Sequence, residues 1–336
     1  ENGGSDCAVT FEDCIFLSND AGNGWGGAVY NSLRANTTFQ RCRFLGNHAD
    51  SHGGAVACAE NTTQFMNCVF SGNTSDGRGG AVYLHASAWT PDTVASFVNC
   101  AFTENQADDD GGSTVNGGGA IYCEAANYAG YEGNQPLTLT IANSILWDNV
   151  APFPPGAGPY SDSRPVVEDE DDDAYDEITI TVHHTEIEGG WTPGEGNING
   201  IPNFRNAIGV DALWGTLDDD LRLGKNSPCF DRGDNAAGAG DYDLDGANRI
   251  MSTSCYGPGL SSDENVLIDM GPYENQKFGI VYVDLTKTGG NNTGADWTNA
   301  FTDLHAALET AEDPEVCEVW VADGTYKPDD CTNCGS

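Results

Sequence analysis

Basic residues are scarce. Against 52 aspartates and glutamates, the 336-residue chain carries 13 lysines and arginines and 6 histidines, giving a net charge of −39. Such a surface repels a phosphate backbone, which excludes nucleic acid as a partner. It suits salty water or the collection of divalent cations. Long apolar runs are missing as well. No stretch of 18 apolar residues occurs, so no segment reads as a membrane span. The opening Glu1-Asn-Gly-Gly-Ser-Asp-Cys7 lacks the basic and apolar regions of a secretion signal and reads as the inside of a repeat. The chain is therefore expected to be part of a longer or processed polypeptide.

Catalytic signatures are absent too. There is no Ser-His-Asp order, no His-Glu-x-x-His, no phosphate loop and no Cys-x-x-Cys-His of haem attachment. A lyase acting on an acidic sugar needs basic groups to neutralise the uronate and remove its proton. The repeat region offers only Arg34, Arg41, Arg43 and Arg78, scattered. A glycoside hydrolase needs two carboxylates opposed across a groove, and no pair among the 52 acids singles itself out. The expectation is a protein that is not an enzyme, the alternative being a carbohydrate-active lyase or hydrolase on the same scaffold.

What is present is repetition. One phrase reads Phe11-Glu-Asp-Cys14-Ile-Phe16-Leu-Ser-Asn19, then Phe39-Gln-Arg-Cys42-Arg-Phe44-Leu-Gly-Asn47, then Phe65-Met-Asn-Cys68-Val-Phe70-Ser-Gly-Asn73. It returns as Phe97-Val-Asn-Cys100-Ala-Phe102-Thr-Glu-Asn105 and, worn, as Ile141-Ala-Asn-Ser144-Ile-Leu146-Trp-Asp-Asn149. A second phrase separates the copies: Gly26-Gly-Ala-Val-Tyr30, Gly53-Gly-Ala-Val-Ala57, Gly79-Gly-Ala-Val-Tyr83 and Gly118-Gly-Ala-Ile-Tyr122. The cysteines lie 28, 26 and 32 residues apart, a period that means a stacked repeat.

Within a copy the inward parity changes once. Val9 and Phe11 share one face of a strand, Cys14 and Phe16 a face of opposite parity, so a bend at Glu12-Asp13 brings both pairs inward. Each copy thus reads as strand, corner, strand and Asn turn, with a third strand from the Gly-Gly-Ala-Val phrase. No helical period fits. Three short strands per turn predict a parallel β-helix with coils ~4.8 Å apart, Phe on Phe, Cys on Cys and Asn on Asn. The Asn is expected to take the left-handed conformation and to bond along the stack.

Gly-Gly-Ala-Ile/Val-Tyr combined with Phe-x-x-Asn resembles the repeats of polymorphic outer-membrane proteins and adhesins. It is equally similar to the large extracellular right-handed β-helix proteins of planctomycetes and related bacteria. The resemblance implies an all-β, right-handed parallel β-helix with an extracellular or cell-surface location and a structural or adhesive role.

The expected organisation is 1–195 for the coils, 196–278 for a closing section and 279–336 for a short C-terminal strand–helix–strand capping segment. The stretch 150–177 reads as a solvated excursion, since it is rich in proline and has eight acids in the ten residues 168–177. Ile178-Thr-Ile-Thr-Val182 resumes the coils, with Ile187 in the Phe16 slot, and His183 and His184 read as corner surface residues without a third ligand. Cys14, Cys42, Cys68 and Cys100 read mainly as buried thiols, although stacked coils would also bring them within disulfide range. Cys229 with Cys255, and Cys317 with Cys331 or Cys334, are the disulfide candidates. The sequons at Asn36, Asn61, Asn73 and Asn291 read as corner residues rather than glycan acceptors. Trp89, Asn127, Tyr128 and Tyr131, in long loops, are candidates for stacking surface glycans.

Two further expectations concern ions and partners. Asp241-Tyr-Asp243-Leu-Asp245-Gly246 puts three carboxylates on a tight loop, as Ca²⁺ requires, with Asp234 or Asp231 available to help. Position 252 is serine where an EF-hand would close with glutamate, so a simpler loop site is expected, or else an Asp-Gly turn bonded to backbone near Arg249. The tripeptide Arg232-Gly-Asp234 is discounted as chance. The C-terminal segment resembles the opening of another β-helix, with Phe301, Leu304, Leu308 and Ala311 on one face of a helix over roughly 302–312. It is expected to join end to end with a copy of the chain or an adjacent repeat module through Tyr282, Trp297, Phe301, Leu304, Leu308, Trp320 and Tyr326.

Overall fold

The computed structural model describes residues 7–32, 34–87, 92–108, 118–126, 136–151, 166–168, 178–224, 226–238, 240–247, 249, 268–274, 280–294, 296–311 and 318–325. It divides into a large unit, residues 1–249 with 267–275, and a small one, 250–266 with 276–336.

The large unit is a parallel β-helix. Its first sheet stacks Cys7–Glu12, Ala35–Gln40, Thr62–Met66, Thr93–Val98, Leu137–Ala142 and Ile178–His183, every neighbouring pair parallel. The second stacks Ile15–Leu17, Arg43–Leu45, Val69–Ser71, Ala101–Thr103, Ile145–Trp147 and Glu186–Ile187. The third runs Val29–Ser32, Val56–Ala59, Val82–Ser87, Ile121–Ala126 and Val166–Glu168, and a short fourth joins His48–Ala49, Thr74–Ser75 and Gln106–Ala107. Val166–Glu168 corrects the reading of 150–177 as one excursion: two adjacent valines of strong strand preference continue the third sheet inside it. The acidic run beyond it, 169–177, lies outside the described residues.

Like residues meet as the period requires. Phe11, Phe39, Phe65 and Phe97 form one ladder, with ring centroids 5.0, 4.9 and 4.6 Å apart and planes within 7°. Phe16, Phe44, Phe70 and Phe102 form a second at 4.7, 4.7 and 4.5 Å. The two ladders meet edge to face, as at Phe97–Phe102, 5.2 Å and 72°. Each such pair adds about 0.5–1.5 kcal/mol beyond area burial. Ile187 follows Leu146 in the second column, as expected. Cys42, Cys68 and Cys100 are buried free thiols, each donating toward backbone carbonyls of its own and the preceding coil. Ser144 and Thr185 continue the column with hydroxyls, which accept from Cys100 N and Ser144 N.

The Asn ladder is present and its amides bond along the stack as expected, but the Asn itself is not the left-handed residue. Asn19, Asn47, Asn73 and Asn105 each donate from Nδ2 to Oδ1 of the next Asn, at 2.8, 2.9, 2.8 and 2.8 Å, ending on Asn149. The left-handed residue is the one before each Asn: Ser18, Gly46, Gly72, Glu104 and Asp148 have φ of 50 to 62°. The Asn is held by its amide rather than by its backbone. Asn61 and Asn73, two of the sequons, are 2% and 0% exposed. The first glycine of each pair, Gly26, Gly53, Gly79 and Gly118, has φ between +58 and +71°. Neither member has room for a side chain: a Cβ on Gly26 would lie 2.0 Å from the Val29 carbonyl, and one on Gly80 2.1 Å from the Gly119 carbonyl.

Beyond a parallel bridge of Glu186 with Ile198, the closing section adds no further strand to the stack among the described residues. Phe204–Asn206 pairs antiparallel with Asp220–Leu223, and the chain then covers the outer side of the second sheet. Leu45, Val69, Ala101 and Ile145 point outward there and pack with Leu221, Leu223, Cys229, Leu244, Met270 and Tyr273. A sheet apolar on both faces demands a cover.

In the small unit Ile280–Val283 and Glu318–Val321 pair in parallel, with the helix Leu304–Ala311 between them in sequence. Asp303 caps the helix, accepting from His305 N and Ala306 N. Val281, Val283 and Ala307 are buried, with Phe301, Leu304 and Val319 packed on them.

Candidate functional site

Several places in the large unit gather chemistry. The first is the outer side of the third sheet, where the Tyr of Gly-Gly-Ala-Val-Tyr recurs. Tyr30, Ala57, Tyr83 and Tyr122 are in register. Alternation of a strand turns these residues outward while Val29, Val56, Val82 and Ile121 fill the core. Trp25 fills the gap left by Ala57, its ring centroid 5.9 Å from Tyr30, 5.2 Å from Tyr83, 5.7 Å from His52 and 5.5 Å from His85. Behind it Tyr83 donates to Glu124 at 2.5 Å, and Arg78 donates to the same carboxylate at 2.9 Å while lying over the Tyr122 ring. Burial lowers the pKa of His85, so that it stays neutral to lower pH than a free histidine. The strip ends in solvent at Tyr30, which is 53% exposed. Tyr83 and Tyr122 are themselves buried, so the part open to stacking on a sugar ring is Tyr30 with the half-buried Trp25 beside it. The sequence signal was the recurring Tyr, whose outward parity was legible. The loops expected to carry that role, with Trp89, Asn127, Tyr128 and Tyr131, lie outside the described residues.

The acidic loop 241–246 is closed on itself. The Asp243 carboxylate accepts from Asp245 N at 2.9 Å, Ala247 N at 2.8 Å and Glu274 N at 2.9 Å, and the residue is buried. Asp245 forms an ion pair with Arg222 at 2.7 Å. Asp241 receives the Arg249 N–H on its backbone carbonyl. The three donors expected to surround Ca²⁺ do not converge among the described residues, because backbone amides and Arg222 already use two of the carboxylates. Asp234 lies elsewhere, beside His183 and His184 at the corner of the last coil. The Asp231 amide donates to Asp269 at 2.8 Å.

Buried carboxyls also lie outside the acidic loop. Glu186 lies in the second sheet, accepts from Gly200 N and is pushed up to about 8, mainly by burial. Glu274 accepts from Asp269 N and the Arg249 guanidinium in the closing section. Arg41 is tied to Asp13 and Glu12 at a corner, and Arg78 to Glu124, so neither is a loose base on the coils.

The residues expected to mediate assembly fall into two groups. Phe301 and Leu304 pack inside the small unit. Tyr282, Trp297 and Trp320 form a separate aromatic cluster, 4.9 and 5.8 Å between centroids, and both tryptophans are nearly half exposed. Leu308 is exposed, and Ala307 holds the buried helical position the periodicity missed. Tyr326 lies outside the described residues. Cys229 is a free, buried thiol under the second sheet. Cys255, Cys317, Cys331 and Cys334 lie outside the described residues.

The family model of the Chlamydia polymorphic membrane protein repeat matches residues 67–85 and 99–124. These stretches hold two copies of the Phe-x-x-Asn and Gly-Gly-Ala-Val/Ile-Tyr phrases, so the resemblance drawn from the motifs holds. No curated protein and no solved structure matches the chain.

Proposed function

We propose that this protein is a surface-displayed structural and adhesive β-helix that contacts surface glycans at exposed Tyr30 and the half-buried Trp25 beside it, and stacks end to end with further coils. The observation that carries the reading is the continuity of the stack. Side chains, thiols and amides repeat from coil to coil in register, so any segment presenting the same rung extends the rod. At Cys7–Glu12 and Ile15–Leu17 no strand lies on the far side among the described residues. Val9, Ile15 and Leu17 on this coil are 39, 53 and 40% exposed. A parallel pair such as Ile280–Val283 with Glu318–Val321 is the kind of rung that fits, supplied by another copy or an adjacent module. The repeat match supports a cell-surface setting.

Electron microscopy of the full chain, beside a variant lacking residues 279–336, tests assembly. Rods longer than one chain, lost in the truncated form, are expected; identical polymers from both forms refute the role of that segment. Glycan arrays with wild type and Trp25→Ala test the adhesive part, with loss of binding expected in the variant. Release of new reducing ends or unsaturated products from acidic polysaccharides would replace this reading with the enzymatic one.

A further inference from the structure

We propose that His183, His184 and Asp234 form a binding site for a borderline divalent transition ion of the Zn²⁺ type, clipping the closing section to the last coil. One ring nitrogen from each histidine and a carboxylate oxygen of Asp234 lie within 4.8 Å of one another, all three residues half-buried. Two imidazoles and one carboxylate are a donor set that suits Zn²⁺ rather than Ca²⁺, which prefers oxygen throughout. Donors around a tetrahedral Zn²⁺ with bonds of ~2.0–2.1 Å are about 3.3 Å apart, so a small rotation of the rings closes the set.

Adjacent residues of an extended strand face opposite sides. Here His184 has φ 47°, the corner conformation shared with Asp13, Arg41, Asn67, Asn99 and Asn143, and it brings the two imidazoles to 5.8 Å centroid to centroid. In the three preceding coils the corner side chain is an amide, and Asn67 and Asn143 hold the covering chain. Asn67 donates to Tyr242 O, and Asn143 exchanges a pair of hydrogen bonds with the backbone of Asp234, at 2.7 and 3.0 Å. That pair fixes Asp234 next to the following corner. There the column changes from amide to imidazole, and the covering chain presents a carboxylate.

A second observation points to a ligand. Nδ1 of His184 is buried and has no hydrogen-bond partner. Gly196 keeps the ring in place, since a Cβ there would lie 2.4 Å from His184 Cδ2. A second cluster among the described residues, Asp20 with His48 and Asp50, is different: both ring nitrogens of His48 already meet Thr74 and Asp50.

The test is titration of the metal-free full chain with Co²⁺, followed by visible absorption, and displacement by Zn²⁺. His184→Asn restores the residue that the three preceding corners carry, His183→Ala the residue at its ladder partner Ala142, and Asp234→Asn keeps a cap for 235–237. One equivalent per chain with d–d bands of nitrogen and oxygen ligation is expected, unaffected by excess Ca²⁺ and weakened at least tenfold in each variant. Thermal unfolding of the metal-free variants identifies any that fail to fold. Histidine ring nitrogen resonances of the wild type, shifted for two residues only on adding Zn²⁺, give a reading independent of the variants. Weak binding of many equivalents, equal in wild type, His184→Asn and Asp234→Asn, or displacement by Ca²⁺, overturns the proposal.

Discussion

Arg249 donates from Nε to Oδ1 of Asn67 at 2.8 Å, across 182 positions of sequence. Its guanidinium is fully buried and also donates to Gly271 O at 2.6 Å and, more loosely, to Asp269 O and Glu274 at 3.4 Å. A cation so placed ties the covering chain to a corner of the coils, and its removal takes a donor from Asn67 and the Gly271 carbonyl and the counter-charge from buried Glu274. Arg249→Ala is expected to destabilise the large unit by about 3–5 kcal/mol. Denaturant unfolding measures the loss, and hydrogen exchange should rise first in residues 268–274. An unchanged midpoint would mean that the cover is held by its apolar contacts alone.

The Glu274 carboxyl is pushed up to about 9, by burial first and by Asp269 next, against the pull of Arg249. An acid raised on folding stays protonated in the native state while the unfolded chain ionises near the ordinary value. Its contribution is therefore complete below about pH 4 and is lost as pH rises toward 9. Glu274→Gln retains an acceptor for Asp269 N and removes that slope. The difference in stability between variant and wild type should grow from pH 5 to pH 9, followed by urea midpoints; a constant difference would contradict the shift.

Asn73 accepts from Asn47 N and Asn47 Nδ2 and donates to Phe44 O and Asn105 Oδ1, all buried. Asn73→Ala orphans these groups and should cost roughly 2–4 kcal/mol. A loss below ~1 kcal/mol would show that water takes the amide's place.

Gly80→Ala places a Cβ 2.1 Å from the Gly119 carbonyl and 2.6 Å from the Gln106 backbone, and should prevent the coils from stacking there. Gly22→Ala meets nothing within 4 Å but sits at φ +51°, so its cost is backbone strain alone, roughly 1–2 kcal/mol. Circular dichroism melts of the two variants should differ sharply. Equal melts would mean that the neighbouring coil yields.

The Cys42, Cys68 and Cys58 thiols are buried, and their ionisation is pushed up, for Cys42 first by the neighbouring Cys68 thiol and then by burial, for Cys68 and Cys58 chiefly by burial, Cys58 to about 12. Since the thiolate is the reactive species, alkylation mapped by mass spectrometry should modify Cys14 in the native chain well before these three. Early modification of Cys68 would mean that the coils open locally.

The coils were legible in the sequence because a parallel stack puts identical positions side by side. A period therefore carries both the register and the inward face, and Phe, Cys and Asn columns follow from it directly. The paired glycines were legible as a phrase, but the reasons for them, a positive φ and a lack of room, appear only in the folded coils. The same holds for the left-handed residue before each Asn, which had no constant identity to read.

What only the tertiary structure decided is where the non-repeating chain lies. Outward Leu45, Val69, Ala101 and Ile145 gave no sign of the cover they would receive, because nothing in a local pattern encodes a partner more than a hundred residues away. The acidic loop looked like a cation site from spacing alone, yet its carboxylates turned to backbone amides and Arg222. His183 and His184 looked like surface residues until Asp234 arrived beside them. Sequence by itself determined the repeating unit, since its contacts are copies of one local rule. The tertiary structure determined the corner and cover contacts, since each is made once, between residues that only the folded solenoid brings within reach.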